Sequence, residues 1–417
     1  MALSCAQQFI LAAVHLDDDR PTAADVSRLR ASDWREFSRL AAMHRLDPLL
    51  HNRLGRAGLL GQLPADVCER LQSAHRRHTL RNLNIQRELV TVTRLLAAAG
   101  IAAMALKGAY LARFAYAEPG LRPMRDLDLL LRPDQALAAF ELLRGQGYEP
   151  TFGGAPEAYF ADRIHLPPLR GPGGIHIELH HRLTPPDTGS DAFEESLWAS
   201  GVEKDLGGER ILFPCAEDML LHLCIHATLD HRLDLGPLAL TDAALAIEAG
   251  PVDWPTFLAR VTAGGWQHCV LPVLYLARKH LGARVPEDAI TALGGGKGEP
   301  VWLESAEYLL FSDHEDHKLL DYAVQDILYS ANFKDRLAKL LGAVFPPRVV
   351  VARHFPVDAA SPLAYLYYPL RWYRLLTGRL PALLRAHSSR ADSLRELAGH
   401  REAFDRWLEQ GRPNLSA

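Results

Sequence analysis

The period of the apolar residues changes after Gly100 and changes back near Pro214, and that switch confines any sheet in this chain to its middle. Up to about residue 95, apolar positions recur at helical steps, as in Trp34, Phe37, Leu40 and Ala41. Asp33 with Glu36 predicts a capping box at the start of that helix. Four short apolar runs then follow, at 101–106, 126–131, 148–151 and 174–179, each bounded by Gly or Pro as strands are. Between the second and third, residues 133–144 put Ala136, Leu137, Phe140 and Leu143 on one helical face, with Gly145 and Gly147 to end it. From Pro214 helical spacing persists, broken near Gly264-Gly265, 294–298 and Pro346-Pro347. The expected fold is α+β and mostly helical: a small mixed sheet domain flanked by N-terminal and C-terminal helical regions. The expected units are 1–95, 96–213, 214–293 and 294–417. Asp33-Trp34 and Asp253-Trp254, each with Phe three residues after the Trp, read as two helix starts with a packed Trp rather than as a repeat.

Bulk properties exclude several classes. A chain of 417 residues can bury its own cores without staples. With 46 basic and 50 acidic side chains, no global field draws it to a polyanion, so any such site is local. The five cysteines (Cys5, Cys68, Cys215, Cys224, Cys269) are scattered, with no C-x-x-C pair. That argues against a disulfide framework or zinc ribbon and for a reducing cytoplasm. The first residues lack the basic segment of a signal peptide, and no run approaches the roughly 20 apolar residues of a membrane span.

The chemistry concentrates in the second and fourth runs. Strand side chains alternate, so Asp126 and Asp128 share one face while Leu127, Leu129 and Leu131 share the other. Paired carboxylates repel and raise each other's pKa unless a cation joins them, and magnesium prefers carboxylate oxygen. The fourth run repeats the pattern, with His176, Glu178 and His180 on one face; were the two strands neighbours, Glu178 would complete a two-metal clamp. The first run leads into Lys107-Gly108 and a helical stretch at 109–115, where a close backbone approach, free N–H groups and a cation suit phosphate. Arg122 and Arg125, just before the aspartates, are candidates for a phosphate tail.

Leu106-Lys107-Gly108, then Arg122-Pro123-Met124-Arg125-Asp126-Leu127-Asp128-Leu129-Leu130, then Ile177-Glu178-Leu179-His180 resemble the uncharacterised nucleotidyltransferase family related to the DNA polymerase beta superfamily. The resemblance implies a nucleotidyltransferase-type sheet domain and transfer of a nucleoside monophosphate from a nucleoside triphosphate to a hydroxyl or phosphate, with Mg2+ or Mn2+. It places Asp126, Asp128 and Glu178 as catalytic metal ligands. Gly108 stands where the superfamily binds phosphate, with Lys107, Arg122, Arg125 and His180 around the nucleotide. Lys107-Gly108-Ala109 replaces the usual Gly-Ser step, and the spacer to Asp126 is 17 residues. A looser likeness reaches His222, His226 and Asp242, which with His165 are candidates for lining a substrate cleft.

Other motifs carry less. His222 and His226 have metal-ligand spacing, but Leu223 stands where a zinc protease needs Glu. In 294–298, Lys297 is followed by Gly rather than Ser or Thr and no apolar strand precedes it, so a linker is expected there. Residues 365–385 interleave Tyr367, Tyr368, Trp372 and Tyr373 with Arg371, Arg374, Arg379 and Arg385; an inward aromatic face is expected, with acceptor recognition the lesser option. The rival to an enzyme is a non-catalytic scaffold of the same fold. The acceptor, whether small molecule, protein or transfer RNA, has no signature in the residues.

Overall fold

The computed structural model describes residues 3–321 except 18, 152–154, 161–162, 185–190 and 297, together with 341, 344–352, 361–374 and 380–410. Among these the fold is α+β and mostly helical, with one mixed seven-stranded sheet. Its strands are β1 (Ala103–Ala105), β2 (Asp126–Leu131), β3 (Glu149–Pro150), β4 (Leu169–Arg170), β5 (His176–His180), β6 (Val202–Leu206) and β7 (Glu209–Phe213). They lie in the order β3-β4-β5-β2-β1-β7-β6. β2 is parallel to β5 and antiparallel to β1, which puts the two chemistry-bearing strands side by side at the centre.

β2 has the expected bounds, because its leucines are buried on both faces. β1 is shorter than 101–106: Leu106 N–H still reaches the Asp128 carbonyl, and then Lys107 turns the chain at φ 43°. β5 begins later than 174, because Gly174, at φ 75°, closes a turn onto the Gly171 carbonyl. The hairpin β6–β7, paired over Val202↔Phe213 to Leu206↔Glu209, lies outside the four apolar runs.

Leu127, Leu129 and Leu131 with Ile177 and Leu179 form one fully buried face of the central strands. The long helix Ala65–Ala98 packs on the sheet and buries Leu71, Ile85, Leu89, Val92 and Leu96, beside helix Pro133–Gly145 with Phe140 and Leu143. Each such side chain contributes about 1.5–3 kcal/mol of burial, so this layer holds the sheet rigid. The other face, carrying the acidic residues, looks toward helices Ala216–Ile225 and Pro237–Ala249 and the π-turn His226–Asp230 between them.

The first helical region differs from expectation in one cap. Helix Ala31–Met43 starts earlier, so Asp33 sits inside its first turn and accepts from Arg30 N–H at 2.8 Å, while Glu36 accepts from the Ser4 hydroxyl at 3.0 Å. Trp34 and Trp254 do each pack edge-on against the Phe that follows, at 5.3 and 5.6 Å. In the aromatic segment Tyr368 is buried and Trp372 Nε1 donates to the Val344 carbonyl, but Tyr365 and Tyr373 are exposed. Lys297 and Arg379 lie outside the described residues. No described helix is long and apolar enough to cross a membrane.

Candidate active site

Parallel pairing of β2 with β5 sets Asp126 opposite His176, Asp128 opposite Glu178 and Leu130 opposite His180. Since paired residues of neighbouring strands share a face, backbone hydrogen bonds alone bring three carboxylates onto one patch. Asp128 is the hub. Its Oδ1 accepts from His180 Nε2 at 3.0 Å and lies 3.4 Å from Lys107 Nζ. His180 Nε2 also stands 3.5 Å from Glu178 Oε2. His165 Nδ1 donates to the Leu166 carbonyl, which leaves Nε2 facing Glu178 at 4.0 Å. Lys107 takes its place at the patch with a positive φ of 43°, a strain of order 1–3 kcal/mol at a non-glycine residue.

The charges are tightly linked. Burial, then repulsion from Asp128 and Glu178, pushes the Asp126 carboxyl up to about 6. Burial works the same way on Asp128, but Lys107 and His180 outweigh it and hold that carboxyl well below the usual range. Lys107 and His180 are in turn raised, burial opposing their charge and the carboxylates prevailing. Asp126 makes no side-chain hydrogen bond or ion pair among the described residues.

A cavity of about 520 Å³ opens over this patch. Lys107, Arg122, Arg125, Asp126, Asp128, His165, Glu178, His180, His226 and Asp242 all line it, so most of the expected residues converge. Gly108 and His222 do not line it. A Cβ on Gly108 would lie 2.3 Å from Arg122 Nη1, so this glycine makes room for that guanidinium. His222 is buried behind His226, ring centroids 6.0 Å apart, with both ring nitrogens unpartnered. Arg122 is already committed: Nη2 and Nε donate to Asp242 at 2.8 and 3.2 Å, and Tyr116 Oη donates to the same carboxylate at 2.7 Å. It anchors the loop before β2, and Asp242 is its counter-charge.

Six further ionisable residues line the cavity that the sequence did not mark: Arg45, Arg163, Asp230, His231, Asp234 and His314. The run His226-Ala-Thr-Leu-Asp230-His231-Arg-Leu-Asp234 is dense enough in imidazole and carboxylate to have drawn notice. Nothing local marks Arg45 or His314. Arg45, Arg125 and Arg163 make no side-chain hydrogen bond or ion pair among the described residues, and burial with Arg122 and Arg125 nearby lowers Arg45 to about 10.

The donor set suits a hard divalent cation. Ligand atoms of Asp128, Glu178 and His180 lie within 4.8 Å of one another, and Asp126 adds a carboxylate with no partner of its own. A family model described as an uncharacterised nucleotidyltransferase matches residues 30–282, a range that holds every cavity-lining residue named above except His314. No curated protein matches the chain.

Proposed function

We propose that this chain, which belongs to the uncharacterised nucleotidyltransferase family, moves a nucleoside monophosphate from a nucleoside triphosphate to an acceptor hydroxyl or phosphate. The observation that carries this is the register of β2 on β5, which sets Asp128 beside Glu178 with unpartnered Asp126 next to them at the floor of the cavity. Asp126, Asp128 and Glu178 would hold Mg2+ or Mn2+, which when bound supplies charge neutralisation for the phosphates.

The protein's own groups do the rest. Arg45, Arg125 and Arg163 are free to take the triphosphate tail, which needs cations not already spent on carboxylates. Lys107 and His180 keep Asp128 anionic and oriented. The acceptor oxygen attacks the α-phosphorus, a hydroxyl acceptor giving up its proton to solvent, while the bond to the bridging oxygen breaks and pyrophosphate carries away the electron pair. Catalysis on this reading is positioning and electrostatics, with Arg122 and Asp242 fixing the loop that delivers Asp126.

A binding scaffold is the second reading, favoured by Lys107 and His180, which neutralise Asp128 from within the protein. Isothermal titration of the four nucleoside triphosphates, with magnesium and with chelator, separates the two. The enzyme reading expects magnesium-dependent binding of at least one triphosphate, weakened about a hundredfold or more in Asp126→Asn. Equal binding by that variant, or none by the native chain in either condition, would sink it. Because Asp126 is repelled and unpartnered, the same variant should melt no lower than the native chain in chelator.

A further inference from the structure

We propose that His231, Asp234 and His314 form a second metal site, for one divalent ion of the zinc class, on the helical wall of the cavity. His231 Nδ1 lies 3.0 Å from Asp234 Oδ1, and His314 Nδ1 lies 2.5 Å from Asp234 Oδ2. One ligand atom from each of the three residues falls within 4.8 Å of the others. Two imidazoles and one carboxylate are a borderline donor set, which suits zinc and its neighbours and not magnesium. Three protein ligands also leave a coordination position open, and all three residues line the cavity.

The local fold builds this cluster deliberately enough to need a reason. After the π-turn His226–Asp230 the chain passes through left-handed Arg232 and Leu233, at φ 44° and 65°, so that Asp234 N–H folds back on the His231 carbonyl at 2.8 Å. That tight loop sets His231 and Asp234 side by side, and Arg232 Nε pins it to Asp405 at 2.7 Å. His314 arrives from a separate segment, the first residue of helix His314–Asp321. The Asp234 side chain is 4% exposed, against 25% and 35% for His231 and His314, so a buried carboxylate stands behind two rings that reach the cavity.

Charge gives the second argument. Among the described residues Asp234 has no Lys or Arg ion-pair partner; its partners are the two imidazoles, cationic only when protonated. A buried carboxylate without a permanent counter-charge is costly, and a metal ion provides one that does not depend on a proton. The site is separate from the carboxylates of β2 and β5, and it stands whether or not the nucleotidyltransferase reading holds. An ion there would join the 231–234 loop to residue 314 and so stabilise the fold that binds it.

The test is titration of zinc chloride into the full chain, stripped with chelator and desalted, followed by calorimetry and thermal melting. Glu178→Gln serves as the background, so that zinc cannot use the intact cluster on the sheet. That protein should bind one zinc ion and melt higher with it. Adding His314→Ala should weaken zinc at least about tenfold and remove the rise in melting temperature. His314 is the working position because it is partly exposed and begins its helix, so its loss leaves the buried Asp234 in place; circular dichroism confirms the fold. No zinc bound by the Glu178→Gln chain, or the same affinity after His314→Ala, would overturn the proposal, as would magnesium matching the zinc response.

Discussion

The two walls of the cavity are built by different physics. On the sheet wall, five consecutive residue pairs between β2 and β5 fix where Asp126, Asp128 and Glu178 stand, and the leucines beneath them are packed without exposure. On the helical wall, the π-turn His226–Asp230, two left-handed residues and a histidine from a distant segment are held by side-chain hydrogen bonds. A backbone ladder is indifferent to side-chain identity, whereas a lattice of imidazoles and carboxylates depends on every member. The first kind of wall therefore tolerates change in the side chains around it, and the second does not.

That contrast can be broken by experiment. The largest effect should come from Lys107→Met, which leaves Asp128 buried with only His180 to neutralise it. A loss of about 3–5 kcal/mol is expected in urea unfolding. A loss below about 1 kcal/mol would mean that Lys107 does not hold the sheet wall's charge. Next comes acid. His44 underlies the helical wall, since a Cβ on Gly236 would lie 2.1 Å from its Nδ1. Burial lowers this imidazole to about 4, below the 6.5 of an open chain. Between those values the unfolded chain binds more protons. Stability is therefore whole above about pH 6.5 and is lost as pH falls toward 4, by up to roughly 3 kcal/mol from this group. At pH 5 the hydrogen-exchange protection factors, corrected for the slower intrinsic rate, should fall first in the amides of 227–238 while those of β2 and β5 hold; simultaneous loosening would erase the distinction between the walls.

The smallest of the three effects sharpens the comparison at the point where the walls meet. Gly108→Ala forces a methyl against Arg122, whose guanidinium is held by Asp242 and cannot swing aside freely. About 1–3 kcal/mol should be lost. In an Asp242→Asn background that cost should shrink, because the arginine is then released. A double-mutant cycle with no coupling would show the two walls to be independent.

How far the chain could be read before its structure follows the same division. Period-two patterning picked out β2 to the residue and put Glu178 and His180 on the right strand, because a buried central strand advertises itself through leucines. The hairpin β6–β7 does not, since Glu203, Lys204, Asp205, Glu209 and Arg210 interrupt its apolar positions; its one clear mark is Gly207-Gly208 between alternating residues. Arg122 was legible as a residue of the cavity, but its pairing with Asp242 and its close approach to Gly108 were not, since a glycine that admits a guanidinium looks in sequence like one that admits phosphate. Arg45 and His314 could not be found at all: their place on the cavity depends on long-range packing that leaves no local period.

The knot of Tyr116, Arg122 and Asp242 has a mechanical meaning. It crosses from the loop before β2 to helix Pro237–Ala249, where Asp242 is buried. A cut after residue 213 would follow the last strand of the sheet in the chain and yet sever this contact, giving one fragment a guanidinium and phenol without their anion and the other an anion without its cation. Each half would be soiled by an orphan charge that only the other can cancel. The seam between strand and helix is thus a lock with matching key, and the two pieces, expressed apart, would be drawn to find each other.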